Sequence, residues 1–338
     1  MNILSWNKPQ LERLAGKPGR LPHALLIHGR QGIGKVSFAC GLAQSLLCES
    51  PSAGLACGRC PACGWFESSN HPDFRLIEPG GLTAAEEEEQ GAGKGSARIL
   101  IEQIRELADF INVSSHRGGP KVVLIQPAEA LNVNAANALL KNLEEPPAGT
   151  LFLLVAHRIH FLLPTIRSRC QQIALAAPEP AAAIDWLRAQ GAEDPALVLA
   201  HTGNSPLLAR ELAEREYWQQ RDSFLAHIAV PGFDALAAAE QVSGYAVRDI
   251  AGWLQKWTFD LIFQKYLGKV RYNPDRAAAI SMLAAQIDPL RVLHFHREVL
   301  RLQRVIDHPL NPRLLIEQLL LDYAGALSTG ATAGNRAF

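Results

Sequence analysis

The sequence has no excess of charge of either sign and no long apolar run. Lysine and arginine number 33 together, as do aspartate and glutamate, so the formal net charge is zero. This balance argues against a generally basic nucleic-acid-binding surface, although a local basic patch is compatible with it. The longest apolar stretches, such as residues 151–156, are far shorter than the ~18 residues that a membrane span needs.

An export signal is also missing, because the segment MNILSWNKPQ has no basic stretch followed by an apolar one. We therefore expect a cytoplasmic protein with no membrane partner. Hydrophobic residues make up 48% and charged residues 20%, as is typical of an ordered globular protein. At 338 residues the chain is too long for one core of ordinary size, so two or three domains are expected.

Four of the six cysteines lie close together, in the pattern C-x8-C-x2-C-x2-C. They are Cys48, Cys57, Cys60 and Cys63. In a reducing compartment this clustering favours a metal over disulfides, because thiolates two residues apart can converge on one ion. The alternatives are four unrelated thiols and a redox CxxC pair. Four ligands would complete a tetrahedron and leave no position for water, so we expect structural zinc in a module over residues 48–63.

Short apolar runs alternate with helical patterns in the first half of the chain. Ala24–His28, residues 122–125 and residues 151–155 have the length and composition of buried strands. Strands that alternate with helices predict a parallel sheet covered by helices.

After about Ala177 the strand signal fades and the sequence becomes helical throughout. Apolar residues from Ile250 to Leu261 recur with i, i+3, i+4, i+7 spacing, which indicates one apolar face. Asp288-Pro289 and Asn311-Pro312 are typical helix starts, with a capping side chain followed by proline. We expect these apolar faces to form the core of the second half, with an oligomer interface as the alternative.

The segment Gly29-x4-Gly34-Lys35, between a predicted strand and a predicted helix, has the form of a phosphate-binding P-loop. Glycines let backbone N–H groups converge on a phosphate, and Lys35 can reach its terminal oxygens. The next residue should be serine or threonine to ligate Mg²⁺, but it is Val36. Gly29, Gly34 and Lys35 are therefore candidate nucleotide-binding residues of a degenerate loop, and binding of ATP or ADP is left open.

The acidic strand end that normally completes a P-loop site is missing as well. A working ATPase carries an aspartate there and, in one large class, a glutamate that activates water. Here Gln126-Pro127 follows the predicted strand, and Glu129 lies about three positions further on. We expect Glu129 to begin the next helix, where a carboxylate meets the helix dipole favourably. ATP hydrolysis by this chain is not expected.

Two further motifs, LLKNLEEPP at the end of residues 134–147 and TIRSRC at residues 165–170, complete a recognisable set. With the cysteine pattern they resemble bacterial clamp-loader subunits of the AAA+ class, over nearly the whole chain. The resemblance implies an α/β RecA-like AAA+ domain at 1–177 with an inserted zinc module. It further implies a small all-α lid at 178–212 and an all-α collar domain for oligomerisation at 213–330.

The departures from the family pattern narrow this resemblance to its non-hydrolysing members. Besides the two P-loop departures, Ala156-His157 stands where motor subunits have a polar sensor, and Leu207 stands where their lid has an arginine. The resemblance thus implies a rigid stator within the DNA polymerase III clamp loader, part of a nucleotidyltransferase holoenzyme but without ATPase activity of its own. The implied partners are the motor subunits, gamma or tau, and a delta subunit in a hetero-pentamer, with the sliding clamp and primed DNA.

The SRC motif is intact, and in this family its arginine reaches the γ-phosphate of a neighbouring motor subunit. The resemblance therefore implies that Arg169 is an arginine finger in trans, a role suited to a planar, always charged group. The alternative is that residues 168–170 merely precede a strand. Arg167, two residues earlier, is expected to be a surface or DNA-facing cation, and Cys170 a small buried residue.

Two other functions are weighed against the stator. An active motor subunit, gamma- or tau-like, would rest on Gly29, Gly34 and Lys35 alone. A zinc-dependent nucleic-acid binder outside replication would rest on the cysteine module, but only Arg59 lies inside it as a cation.

Overall fold

The structure is a computed structural model that describes residues 3–16, 19, 21–80, 98–116, 118–212, 215–303 and 311–328. The chain divides into two compact units, Met1–Pro178 and Glu179–Phe338. The division into three domains at residues 177 and 212 stays a prediction.

The first unit is built on a five-stranded parallel sheet in the order β2-β3-β4-β1-β5. Its strands are β1 Ala24–His28, β2 Phe74–Ile77, β3 Lys121–Ile125, β4 Thr150–Ala156 and β5 Gln171–Ala174. All residues of β3 and β4 are buried, which explains their continuous apolar sequence. Register pairs include Leu26 with Leu154 and Val123 with Phe152.

Helices accompany the sheet along the first unit. They are α1 Lys8–Ala15, α2 Lys35–Leu47, α3 Pro61–Glu67, α4 Ile101–Asn112, α5 Val133–Glu144 and α6 Pro164–Arg169. Two hydrophobic clusters result: α4, α5 and α6 contribute to one, α1 and α2 to the other, and alternate residues of the strands face each. The predicted α/β class with a parallel sheet is confirmed.

The edge strand β2 was not predicted from the sequence. Arg75 and Leu76 in it are exposed, so Phe74–Ile77 lacks the continuous apolar run of the interior strands. Its place is fixed by pairing with β3, in which Phe74 lies opposite Val122.

The second unit is helical throughout the part that the structure describes. Its helices are α7 Pro180–Ala189, α8 Pro195–His201, α9 Pro206–Glu211, α10 Arg215–Ile228, α11 Ala235–Gln241, α12 Val247–Leu267, α13 Ala277–Gln286, α14 Pro289–Leu302 and α15 Pro312–Leu327. A small cluster around Leu187 and Ala209 belongs to α7–α9, and a larger one around Trp253 and Trp257 belongs to α10–α15.

The predicted helix starts and core faces of this unit are confirmed. Asp288 and Asn311 cap α14 and α15 by accepting backbone N–H groups. The apolar face of α12, including Ile250 and Leu261, is buried. Among the described residues, no helix combines the length and the apolar character needed to cross a membrane.

Candidate functional site

The P-loop connects β1 to α2, as its position between a strand and a helix predicts. Gly29 follows the strand with φ +150°, and Gly34 precedes the helix with φ +91°. A Cβ at Gly29 would lie 2.5 Å from the Leu175 carbonyl oxygen, and one at Gly34 would lie 2.3 Å from Leu4 Cδ1. Both positions therefore favour glycine for backbone conformation, and at Gly29 the neighbouring backbone also leaves no space for a side chain.

An N-terminal segment packs against this loop, which the sequence did not predict. Trp6 Nε1 and Asn7 Nδ2 both donate to the Ile33 carbonyl oxygen, at 3.1 and 3.0 Å. Leu4 lies against Gly34. These contacts hold the end of the loop in one conformation.

Lys35 opens α2 and is 2% exposed. Its Nζ donates to the carbonyl oxygen of Arg30 within the same loop. Burial lowers the pKa of Lys35 to about 8, and the nearby Glu129 carboxylate acts in the opposite direction. The structure thus brings Gly29, Gly34 and Lys35 together in one loop, and Val36 beside them carries no oxygen that could ligate Mg²⁺.

Glu129 does not begin the next helix, so that expectation was wrong. It lies in a short 3-10 turn, Ala128–Ala130, and α5 starts later, with Asn132 as its cap. Its carboxylate accepts the backbone N–H groups of His157, at 2.9 and 3.2 Å, and of Arg158, at 3.0 Å. The carboxylate joins the chain after β3 to the chain after β4, and no sequence pattern near Glu129 indicates a partner 28 residues away.

The stretch that stands in place of the polar sensor of motor subunits is apolar and then basic. Ala156 is the buried last residue of β4, and His157 follows it with its Nδ1 buried and without a hydrogen-bond partner in the described part of the chain. Burial, with a smaller contribution from the positive charge of Lys35, lowers the pKa of His157. Leu207 lies in α9.

The four clustered cysteines come together as their spacing predicts. Their Sγ atoms all lie within 4.8 Å of one another, and those of Cys48 and Cys60 are 3.9 Å apart. Four thiolates around one Zn²⁺ at ~2.3 Å would stand about 3.8 Å apart, so the separations fit a tetrahedral ion. The cluster can hold a metal ion.

Helix ends place these thiols, and hydrogen bonds and burial shift their pKa values. Cys48 ends α2, Cys60 caps α3, and Cys63 lies in the first turn of α3. Backbone N–H groups of Arg59 and then Cys60 lower the pKa of the Cys57 thiol to about 6, whereas burial raises that of Cys63 to about 12. A bound metal cation would keep the buried thiol of Cys63 deprotonated.

Arg169 is the last residue of α6, and Cys170 separates it from β5. Its side chain is 33% exposed and its Nη2 lies 2.5 Å from Glu144 Oε1. Nη1 donates to the Thr165 carbonyl oxygen at 3.0 Å and to Ser168 Oγ at 3.5 Å. The sequence indicated the arginine but not its carboxylate partner at the end of α5.

Arg167 lies near the surface but is partly covered, and a DNA-facing role for it stays a prediction. It is half-buried, and its Nε is buried without a hydrogen-bond partner among the described residues. Its charge contributes, after burial and Lys35, to the lowered pKa of His28 at the end of β1. Cys170 is buried, as expected, and burial raises its pKa to about 11.

A P-loop that follows an interior strand of a parallel sheet, with a unit after it that is helical in its described part, defines a P-loop protein of the α/β class. A solved structure with the same fold is a DNA polymerase III gamma subunit-related protein from Thermotoga maritima. It has a TM-score of 0.50 and 18% sequence identity, and the match covers 94% of this chain and 100% of that one.

Family comparisons are more specific. Residues 8–179 match the family described as DNA polymerase III, delta subunit, and residues 215–324 match its C-terminal family. DNA polymerase III subunit delta' of Pseudomonas aeruginosa is 35% identical, with 97% of this chain and 99% of that protein covered. The subunit delta' of Escherichia coli strain K12 is 30% identical, with 98% of each covered. The chain belongs to the DNA polymerase III delta' family, and the resemblance to clamp-loader subunits is confirmed.

Proposed function

We propose that this chain is a non-hydrolysing stator of the DNA polymerase III clamp loader that supplies Arg169 in trans to the ATP site of a neighbouring subunit. The observation that carries the proposal is a contrast within one unit. The residues for metal-assisted hydrolysis are replaced, while the SRC arginine is retained at the partly exposed end of α6.

Several replacements support the absence of hydrolysis. Val36 offers no ligand for Mg²⁺, and neither Gln126 nor Pro127 carries a carboxylate. Glu129, the next carboxylate, is engaged by the backbone of His157 and Arg158. The positions that carry the metal ligand, the strand-end aspartate and the water-activating glutamate in a working ATPase therefore hold none of these groups, which argues against hydrolysis by this chain.

The arginine is suited to action on a neighbour. A guanidinium is always charged and can bind two phosphate oxygens together. Such a residue supplied in trans accelerates hydrolysis by roughly 10³–10⁵-fold at the site it serves. Arg169 is one-third exposed, so its side chain is accessible from outside this unit.

The partners and the metal belong to the same proposal. Subunits named tau, such as that of Escherichia coli at 31% identity over 79% of this chain, are relatives. We therefore place this chain with gamma or tau motor subunits and a delta subunit in a hetero-pentamer that acts on the sliding clamp and primed DNA. Zinc at Cys48, Cys57, Cys60 and Cys63 would be structural, since four thiolates leave no open position.

The decisive experiment rebuilds the clamp loader with Arg169→Ala and measures DNA-stimulated ATP hydrolysis. We expect a large fall in rate with assembly intact, and little recovery with Arg169→Lys, because lysine lacks the planar fork. Arg188→Ala, which removes another exposed arginine paired on its own helix, is the control. Unchanged hydrolysis and clamp loading in Arg169→Ala would exclude the trans role.

A second experiment separates the stator from the motor alternative. The purified chain is assayed alone, with and without primed DNA, beside Lys35→Ala. The stator predicts no turnover in either protein. Turnover that depends on Lys35 would identify an active ATPase instead.

A further inference from the structure

We infer that Glu144 is a positioning residue for Arg169, which orients the guanidinium for the neighbouring subunit's phosphate. This inference rests on the proposed trans role of the arginine. It assigns a function to a carboxylate that the sequence places only within the LEEPP motif.

The side chain of Arg169 is held from two elements. Glu144, the last residue of α5, meets Nη2 at 2.5 Å. Thr165, in the first turn of α6, accepts from Nη1 at 3.0 Å through its carbonyl oxygen. Contacts from separate helices fix the plane of the guanidinium, which a single contact would leave free to turn.

Both ends of this contact are anchored by packing. On α5, Leu139 and Leu143 are buried just before Glu144. On the other side, the buried residues Ile166 and Cys170 flank Arg169. The backbone positions of the pair are therefore set by the core, and the ion pair only has to set the side-chain conformation.

The Arg169–Glu144 ion pair is weak enough to orient the guanidinium without preventing it from binding phosphate. Glu144 is 51% exposed and Arg169 33%, and ion pairs of such exposure contribute little to stability. A phosphate can therefore compete for the arginine without a large penalty. The ion pair favours binding because it has already restricted the rotamers of Arg169, and an unrestrained arginine side chain would lose that rotamer entropy when it binds phosphate.

The observed contacts leave donors available for phosphate. A guanidinium has five N–H donors. Glu144 takes one from Nη2, and Thr165 and Ser168 share those of Nη1. The Nε–H and a second Nη2–H remain, which are enough for a two-pronged contact with phosphate oxygens.

The test uses the reconstituted clamp loader with Glu144→Gln, which keeps the size of the side chain and removes its charge. We expect the kcat of DNA-stimulated ATP hydrolysis to fall by about 3- to 10-fold with KM for ATP unchanged, since the contact acts on the transition state through Arg169. Glu144→Asp, whose carboxylate is one methylene shorter, should show a similar fall. The matched control is Glu145→Gln, an exposed neighbour, which should behave as the wild type.

A double-mutant cycle ties the effect to the arginine. In the Arg169→Ala background, Glu144→Gln should cause no further loss, because there is no finger left to orient. An equal loss in both backgrounds, a rise in kcat, or no change in Glu144→Gln would each overturn the inference. If Arg169→Ala itself has no effect, the proposed trans role fails; if only Glu144→Gln has none, the positioning role alone fails.

Discussion

At the scale of single residues, the conformation of the P-loop is fixed by the N-terminal residues that pack against it. Gly34 adopts φ +91° beneath Leu4, and Ile33 accepts two side-chain hydrogen bonds from Trp6 and Asn7. The glycine spacing predicted the loop and its lysine. The covering segment could not be predicted, because its contacts span 26 and 27 residues and carry no local pattern.

Substitution of Gly34 by alanine should destabilise the first unit. The new Cβ would lie 2.3 Å from Leu4 Cδ1 and 3.0 Å from Asn7 Nδ2, in a backbone conformation that disfavours a side chain. We expect a loss of roughly 1–3 kcal/mol in the free energy of unfolding, measured by urea denaturation. Gly252→Ala, in helix α12 with open space around its Cβ, should instead be neutral or slightly stabilising. Equal stability of the two variants would contradict this account.

Glu129 shows where sequence reasoning about single residues ends. Its spacing from β3 favoured a helix start, a local interpretation that needs no distant partner. In the structure the carboxylate instead accepts the backbone N–H groups of His157 and Arg158. These groups come near Glu129 only because β3 and β4 are neighbours in the sheet. Residue types near a site are readable from sequence, but long-range pairings depend on strand order.

At the scale of elements, the cysteine module is a short structure that local spacing specifies well. Cys60 caps α3 through its Sγ, which accepts the N–H of Cys63 at 3.5 Å, and Cys48 Sγ accepts the N–H of Cys57 at 3.3 Å. The thiols thus help to fold the segment that brings them together. This is why the sequence alone predicted the cluster and its residues.

Removal of the metal should therefore destabilise this element. We expect the purified protein to contain one zinc ion and to show cobalt–thiolate absorption after exchange with Co²⁺. Cys57→Ser should lose the metal and lower the unfolding temperature, whereas Cys170→Ser, buried outside the cluster, should retain one ion. Metal content by mass spectrometry and a thermal melt test both. Full zinc content in Cys57→Ser would show that the cluster is not the site.

Helix α5 depends on a cap that the sequence reasoning overlooked. Asn132 Oδ1 accepts the Ala135 N–H at 2.7 Å, and α5 carries Glu144 at its other end. Asn132→Ala should lower the free energy of unfolding by about 1 kcal/mol, measured by urea denaturation. Asn137→Ala, at an exposed position inside the same helix, should have no such effect, since alanine is the better helix former there. A similar loss in both variants would rule out capping as the cause.

At the scale of the whole molecule, the net charge of zero gives no indication that charged side chains are buried in the helical unit. Arg221 is fully buried and pairs with Asp275 at 2.9 Å and with Asn273 at 2.8 Å. Apolar spacing and capping residues predicted the helices and their apolar faces, but not this network, because Asn273 and Asp275 lie 52 and 54 residues from Arg221. Removing Arg221 alone would leave the partly buried Asp275 with Arg276, 3.4 Å away, in place of its fully buried partner, so the network acts as a unit.

Lys256 makes the stability of the helical unit depend on pH. Its Nζ lies 2.9 Å from Nε2 of His201, which in turn lies 2.9 Å from the Tyr217 hydroxyl. Burial, and then the positive charge of Arg221, lower the pKa of Lys256 to about 8, while Asp249 opposes them. Burial lowers the pKa of His201 to about 2, so this ring stays neutral and can accept a hydrogen bond from the amine.

The direction of the effect follows from proton binding. Below about pH 8 both states hold the proton on Lys256, and between about pH 8 and its ordinary pKa of 10.5 only the unfolded chain does. Stability should therefore rise with pH in this window, with a slope that approaches about 1.4 kcal/mol per pH unit. Burial raises the pKa of Tyr217 to about 12, which opposes the rise from about pH 10 upward. The useful window is thus about pH 8 to 10.

Urea unfolding of wild type, Lys256→Met and Lys265→Met across this window tests the effect. Tryptophan fluorescence reports mainly on the helical unit, which contains Trp186, Trp218, Trp253 and Trp257, and replacing Trp6 and Trp65 by phenylalanine in all three proteins removes the signal of the first unit. The unfolding free energy of wild type minus that of Lys256→Met should increase steadily from pH 8 to 10, because only wild type has the titrating amine. Lys265→Met, an exposed position on the same helix, should run parallel to wild type. Parallel curves for all three proteins would mean that the amine of Lys256 keeps an ordinary pKa, since only a group that titrates differently in the two states gives a slope.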